Sequence, residues 1–110
     1  MTSNPGGEIV AVYVIFGSYE EARRVGRDMI DRRLAACVNI LGPCHSIYRW
    51  QDKVEEADEV AALFKTRFER ADALMAAIQD AHSYDVPAIT VLPVVGAHAD
   101  YWSWVAENSG

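Results

Sequence analysis

Residues 9–16 read IVAVYVIF. Ile9, Ala11, Tyr13 and Ile15 alternate with Val10, Val12, Val14 and Phe16, so as a strand the segment is apolar on both faces. Such a strand belongs inside a sheet whose two faces are both covered, because a bare apolar face is an association surface. Residues 88–95, AITVLPVV, impose the same condition. There Ile89, Val91, Pro93 and Val95 oppose Leu92 and Val94, with Thr90 the one polar interruption.

The segments between these two strands fix the topology. Ser18 and Glu21 have capping-box spacing. They precede a helical pattern with Ala22, Val25, Gly26, Met29 and Ile30 on one face and Arg23, Arg24, Arg27 and Asp28 outside. Residues 35–50 form a second extended segment, interrupted at Gly42-Pro43. Gln51-Asp52-Lys53 turns the chain into a third strand over 54–66. Ala71, Leu74, Met75, Ile78 and His82 mark a second helix, and the loop SYDVP leads into the fourth strand. Asp100 is expected to cap a last helix whose Tyr101, Trp104 and Val105 share a face. The order β-α-β-β-α-β with a C-terminal helix predicts an α+β, ferredoxin-like fold with antiparallel strand order 4-1-3-2. Proline removes a ladder donor and is confined to edges or bulges. Pro43 and Pro93 fall on strands 2 and 4, the two edges of that order.

Two helices cover only one face of such a sheet, so the second apolar face calls for a partner. The second and third strands are also long enough to overhang a domain whose radius of gyration should be about 13 Å. Glu55, Ala57 and Glu59 face one way on the returning arm, and Glu56 and Asp58 the other. Carboxylates on both faces suit an arm clear of its own sheet. The expectation is an obligate homo-oligomer joined by sheets and hairpin arms.

At 110 residues and 51% hydrophobic content the chain makes one domain, taken as residues 8–107 behind a Gly- and Pro-rich tail, residues 1–7, read as flexible. A net charge of −6 argues against nucleic acid or an anionic membrane as partner. With no signal-like N-terminus, the protein is expected in the cytoplasm, with its two cysteines reduced.

Cys37 and Cys44 are seven apart, which in an unbroken strand puts them on opposite faces, unless Gly42-Pro43 is a bulge that resets the phase. Cys37, between Ala36 and Val38, reads as a small buried hydrophobe, with a ligand or redox role as the alternative. His82 is either a plain helix-terminal residue or a metal contact. Tyr48 and Trp50 share a strand face and either bury against a neighbouring subunit or stack on a ligand. Lys65, where a strand leaves the core, offers a fixed charge to an anion or carboxylate in an intersubunit cleft. No nucleophile elbow or phosphate-binding glycine loop is present, and no enzymatic activity is expected.

The segments RRLAACVNI, SIYRWQDKVEEADEVAALFKT, HSYDVPAITVLPV and ADYWSWV, in that order and spacing, resemble the CutA family of divalent-cation tolerance proteins. The resemblance implies a ferredoxin-like subunit in a homotrimer built like the PII signalling proteins, with clefts between subunits. It also implies tolerance of copper and other divalent cations. Cys37, His82, Tyr48, Trp50, Glu59, Lys65, Tyr84, Pro87, Tyr101 and Trp104 match the family pattern. On this reading Cys37 and His82, with Glu59 from a neighbouring subunit, would hold Cu(II) or another divalent cation, and Tyr48, Trp50, Lys65, Tyr84 and Trp104 would line the intersubunit cleft. The alternative is a PII-like module binding a small anionic metabolite there. Phe16 and Ala81 stand where family members with a proposed copper site carry further Cys or His ligands, and Ser83, Asp85 and Ala88 depart from the pattern as well, so weaker copper binding is implied.

Overall fold

In a computed structural model, residues 8–110 are described, and the tail expected over residues 1–7 lies outside them. The elements are β1 (Ile9–Phe16), α1 (Tyr19–Asp31), β2 (Cys37–Trp50), β3 (Lys53–Arg67), a single 3-10 turn (Phe68–Arg70), α2 (Ala71–Ala81), β4 (Ile89–Pro93) and α3 (Ala99–Asn108). The four strands form one antiparallel sheet ordered β2-β3-β1-β4, the ferredoxin-like order expected, with Pro43 and Pro93 on its two edge strands. β4 is shorter than its apolar run. The ladder to β1 ends at the Val10–Pro93 pair, and Val95 is 97% exposed.

The even-numbered residues of β1 face α1 and α2. Val10, Val12, Val14 and Phe16 pack with Ala62 and Phe64 of β3, with Ala22, Val25 and Met29 of α1, and with Leu74 and Ile78 of α2. Phe16 and Phe64 are fully buried, and truncating either to Ala would cost about 3–5 kcal/mol. Ser18 caps α1 by accepting the Glu21 N–H at 3.1 Å. The reciprocal half of the capping box is displaced by one residue: Glu21 Oε1 accepts the N–H of Gly17, not that of Ser18.

The odd-numbered face is covered at one end by α3, through Ile9, Ala36, Val94, Trp102 and Val105. The helix is turned by one residue from the expected face. Trp102, Val105 and Ala106 are buried, whereas Tyr101 and Trp104 stack on each other at 6.0 Å on its half-exposed side. Its cap also differs, because the His98 ring Nδ1, not Asp100, accepts the first free N–H, that of Asp100 itself. At the other end of α3, Ser109 Oγ donates to the Val105 carbonyl, Arg67 to that of Ala106 and Arg33 to that of Glu107. Three orphan carbonyls are thus satisfied, two of them by cations suited to the negative helix end.

β2 and β3 form a hairpin closed by a two-residue turn, Gln51-Asp52, both at positive φ, the twist-matched geometry for such a loop. The arm gives the molecule extents of 46 × 29 × 22 Å and a radius of gyration of 14.7 Å, above the compact value of about 13 Å. The pairing slips between Ile40 and Gly42, leaving Leu41 as the extra residue and Gly42 at φ +104. This bulge has a direct consequence for the cysteines. Cys37 pairs with Lys65 and Cys44 with Glu59, two residues on the same face of β3. Both thiols therefore lie on one face, contrary to the parity expected of an unbroken strand. They are kept apart by distance, since Lys65 and Glu59 are separated by about 20 Å along β3.

Candidate functional site

Beyond the bulge it is the even residues of β2, Ser46, Tyr48 and Trp50, that share a face with Glu55 and Glu59 of β3. The loop from α2 to β4 comes up against that face at the end of β1. It brings Tyr84, Asp85 and Val86 over Ile15, and the Ala88 carbonyl accepts the Ile15 N–H. Between arm and loop lies a cleft of about 520 Å³. Its walls carry three aromatic rings (Tyr48, Trp50, Tyr84) and three carboxylates (Glu55, Glu59, Asp85), with no lysine or arginine. Among the described residues none of these three carboxylates forms an ion pair.

A hydrogen-bonded chain sets the loop. Glu21 is buried, and while one oxygen takes the Gly17 N–H, the other accepts the Ser83 N–H at 2.8 Å. Burial works to raise the Glu21 carboxyl, but hydrogen bonds from Ser83 and Gly17 outweigh it and hold the group below its ordinary value. His82 caps the end of α2 and stacks on Phe16 at 5.0 Å. Its Nε2 lies 2.7 Å from the Ile15 carbonyl and its Nδ1 accepts the Tyr84 N–H at 3.0 Å. A carbonyl only accepts and an N–H only donates, so these partners assign the neutral Nε2–H tautomer and occupy both ring nitrogens. Tyr84 then donates its hydroxyl to Glu59 Oε2 at 2.7 Å. Burial and that neighbouring carboxylate push the Tyr84 phenol well above its usual value, so it stays a donor. Gly17 makes room for the ring, because a Cβ there would stand 3.1 Å from the Tyr84 hydroxyl.

Glu59 is only 8% exposed. Far from standing clear on the arm, it lies beneath the Tyr84 loop. Its Oε1 takes no hydrogen bond from the described residues.

The structure divides the expected site residues into two groups. Tyr48, Trp50, Tyr84 and Glu59 meet in the cleft, with His82 behind Tyr84. Cys37, Lys65 and Trp104 do not join them. Cys37 is half-buried at the far end of the sheet, its Sγ 3.4 Å from the Tyr101 hydroxyl, which burial and the Cys37 contact push up to about 12. Lys65 pairs with Cys37 across the strands and donates to Asn39 Oδ1 at 2.8 Å, and Trp104 stacks on Tyr101. Within one chain, therefore, Cys37 and Glu59 cannot share an ion. Among the described residues no three His, Cys, Asp or Glu side chains converge as a metal-binding group.

Sequence reasoning missed one contributor to the site and one cluster outside it. Glu21 looks like a local capping residue, and its hold on Ser83 is a long-range contact that spacing cannot reveal. His45 sits on the opposite face of the arm between Asp58 at 2.9 Å and Glu56 at 2.7 Å, and Asp58 first, then Glu56, raise its pKa. The two-residue turn was the available signal: centring the hairpin on Gln51-Asp52 places His45 opposite Asp58.

A family profile described as CutA1 divalent ion tolerance protein matches residues 10–108. The divalent-cation tolerance protein CutA of Thermus thermophilus is 38% identical over 99 residues, covering 90% of this chain and 96% of that protein. The crystal structure of CutA1 from Oryza sativa superposes with a TM-score of 0.90 at 34% identity, covering 94% of each chain. The structure of the periplasmic divalent cation tolerance protein CutA from Archaeoglobus fulgidus superposes with a TM-score of 0.89 at 32% identity, over 93% of this chain and 99% of that one.

Proposed function

The chain belongs to the CutA1 divalent ion tolerance family, and from that premise we propose that it works as a cytoplasmic homotrimer that binds divalent cations, Cu(II) among them, in the cleft beneath the hairpin arm. The observation that carries this reading is Glu59, nine-tenths buried in a cleft of carboxylates with one oxygen unengaged. One subunit does not present a full ligand set. The remaining donors are assigned to a neighbouring copy, whose approach the half-covered sheet face and the overhanging arm both favour. Leu92 on that face is 43% exposed, and Trp50 at the arm's tip 48%. Glu59 is the ligand. His82 acts as a positioning residue, since coordinating a metal would require its Nδ1 to release Tyr84. Cys37, at the far end of the sheet and in contact with the Tyr101 hydroxyl, is not assigned to this cleft. No helix among the described residues is long and apolar enough to cross a membrane, in keeping with a protein that meets its ions in solution.

Within one chain Lys65 lies at the other end of the sheet and no lysine or arginine lines the cleft, so the anionic-metabolite alternative would need its cation from a neighbouring copy. No catalytic step is proposed.

Two measurements test the reading. Light scattering should give the mass of three chains, and a stable monomer would contradict the assembly. In calorimetric titration with Cu(II), Glu59→Gln should weaken binding tenfold or more while keeping an acceptor for Tyr84. If instead His82→Ala abolishes binding and Glu59→Gln leaves it intact, the ligand assignment moves to His82 and the cleft reading fails.

A further inference from the structure

The cleft has a shape that a single metal ion does not explain. Glu55 and Glu59 point to the same face of β3 but stand four positions apart, about 13 Å along the strand. Carboxylates that share one divalent ion must each come within about 2.0–2.6 Å of it, and these do not converge. Between and beside them run the rings of Tyr48, Trp50 and Tyr84, and the remaining wall is apolar, from Ile15, Val86 and Ala88. A volume of about 520 Å³ is that of a small-molecule site.

Separated negative charges joined by aromatic faces, with no lysine or arginine of the same chain among them, suit one ligand chemistry. We propose that the cleft binds a linear aliphatic polyammonium ion. One ammonium donates to Glu59 Oε1, the oxygen left over once Tyr84 has taken Oε2. A second ammonium reaches Glu55 nearer the tip of the arm. The methylene segments lie on the aromatic rings, which also attract the charges through their π faces. Glu59 supplies the discriminating contact. Tyr84 fixes the carboxylate through Oε2, so Oε1 is held in place on the cleft wall and a cation there meets a preset acceptor. Asp85, on the loop, closes the same end of the cleft. A metal ion and the ammonium would compete for the same Glu59 oxygen, and the polyammonium reading does not depend on metal binding.

The test is a calorimetric titration of the whole protein with spermidine in buffer containing EDTA, so that no metal contributes. Saturable binding at one spermidine per chain is expected. n-Butylammonium, with one charge, should bind at least tenfold more weakly, as should Mg(II) in the absence of EDTA. Glu59→Gln and Glu55→Gln should each weaken spermidine binding tenfold or more. Glu55 is exposed on the arm, so that variant reads the site without disturbing the core. The proposal is overturned if spermidine does not bind, if Mg(II) binds as tightly, or if both variants keep wild-type affinity. Loss of Cu(II) binding alongside intact spermidine binding would sink the metal reading and leave this one standing.

Discussion

Tyr84 does two jobs through two different atoms. Its backbone N–H fixes the His82 ring, and its hydroxyl holds Glu59 in the cleft. Tyr84→Phe keeps the ring and the backbone bond but leaves a nine-tenths buried carboxylate short of a donor. The expected cost is about 1–3 kcal/mol in urea denaturation, and a change within error would show that Glu59 is satisfied by solvent. Glu21 makes a pH-dependent contribution of determinable sign. Its folded pKa lies below the ordinary value of 4.5. The stability it supplies is therefore fully present above pH 4.5 and is lost as the pH falls through the lower folded value. Glu21→Gln should flatten the fall of the denaturation midpoint as the pH drops below 4.5, and an unchanged acid limb would contradict the assignment. At this scale the sequence was a partial guide. His82 stood out as a residue, but its role depends on the Ile15 carbonyl and the Tyr84 N–H, partners supplied by tertiary structure. Spacing could not tell an engaged lone pair from a free one.

Among the elements, the β2 bulge decides the most. Without Leu41 as an extra residue, Tyr48 and Trp50 would point to the opposite face of the arm, away from Glu59. The bulge places Gly42 at φ +104 with open space where a Cβ would stand, so the constraint there is conformational, not steric crowding. Gly42→Ala should cost about 1–2 kcal/mol for forcing an L side chain into that region, read as a lowered denaturant midpoint. No loss would mean that the bulge relocates freely along the strand. The Gly42-Pro43 pair was visible as a break, and its effect on phase was an open alternative. What was not legible was the register on each side of it, which only the pairing with β3 supplies. The last helix shows the same limit. Its apolar residues Tyr101, Trp102, Trp104 and Val105 permit two faces, and docking against Ile9 and Ala36 selects the one with Trp102 inward.

For the whole molecule, strand order, edge prolines and the reach of the arm all followed from segment lengths and alternation. The division of the site residues did not. Cys37, Lys65 and Trp104 occupy one end of the sheet, and the acidic aromatic cleft the other, because β2 spans the full length of both. That separation makes the position of a bound ion informative. The direct measurement is a crystal structure of the protein soaked in Cu(II), with data collected at the copper absorption edge. An anomalous peak about 2.0–2.2 Å from Glu59 Oε1, completed by donors of a neighbouring copy, is the predicted result. A peak confined to Cys37, or to His45 with Asp58 on the outer face of the arm, would contradict the account.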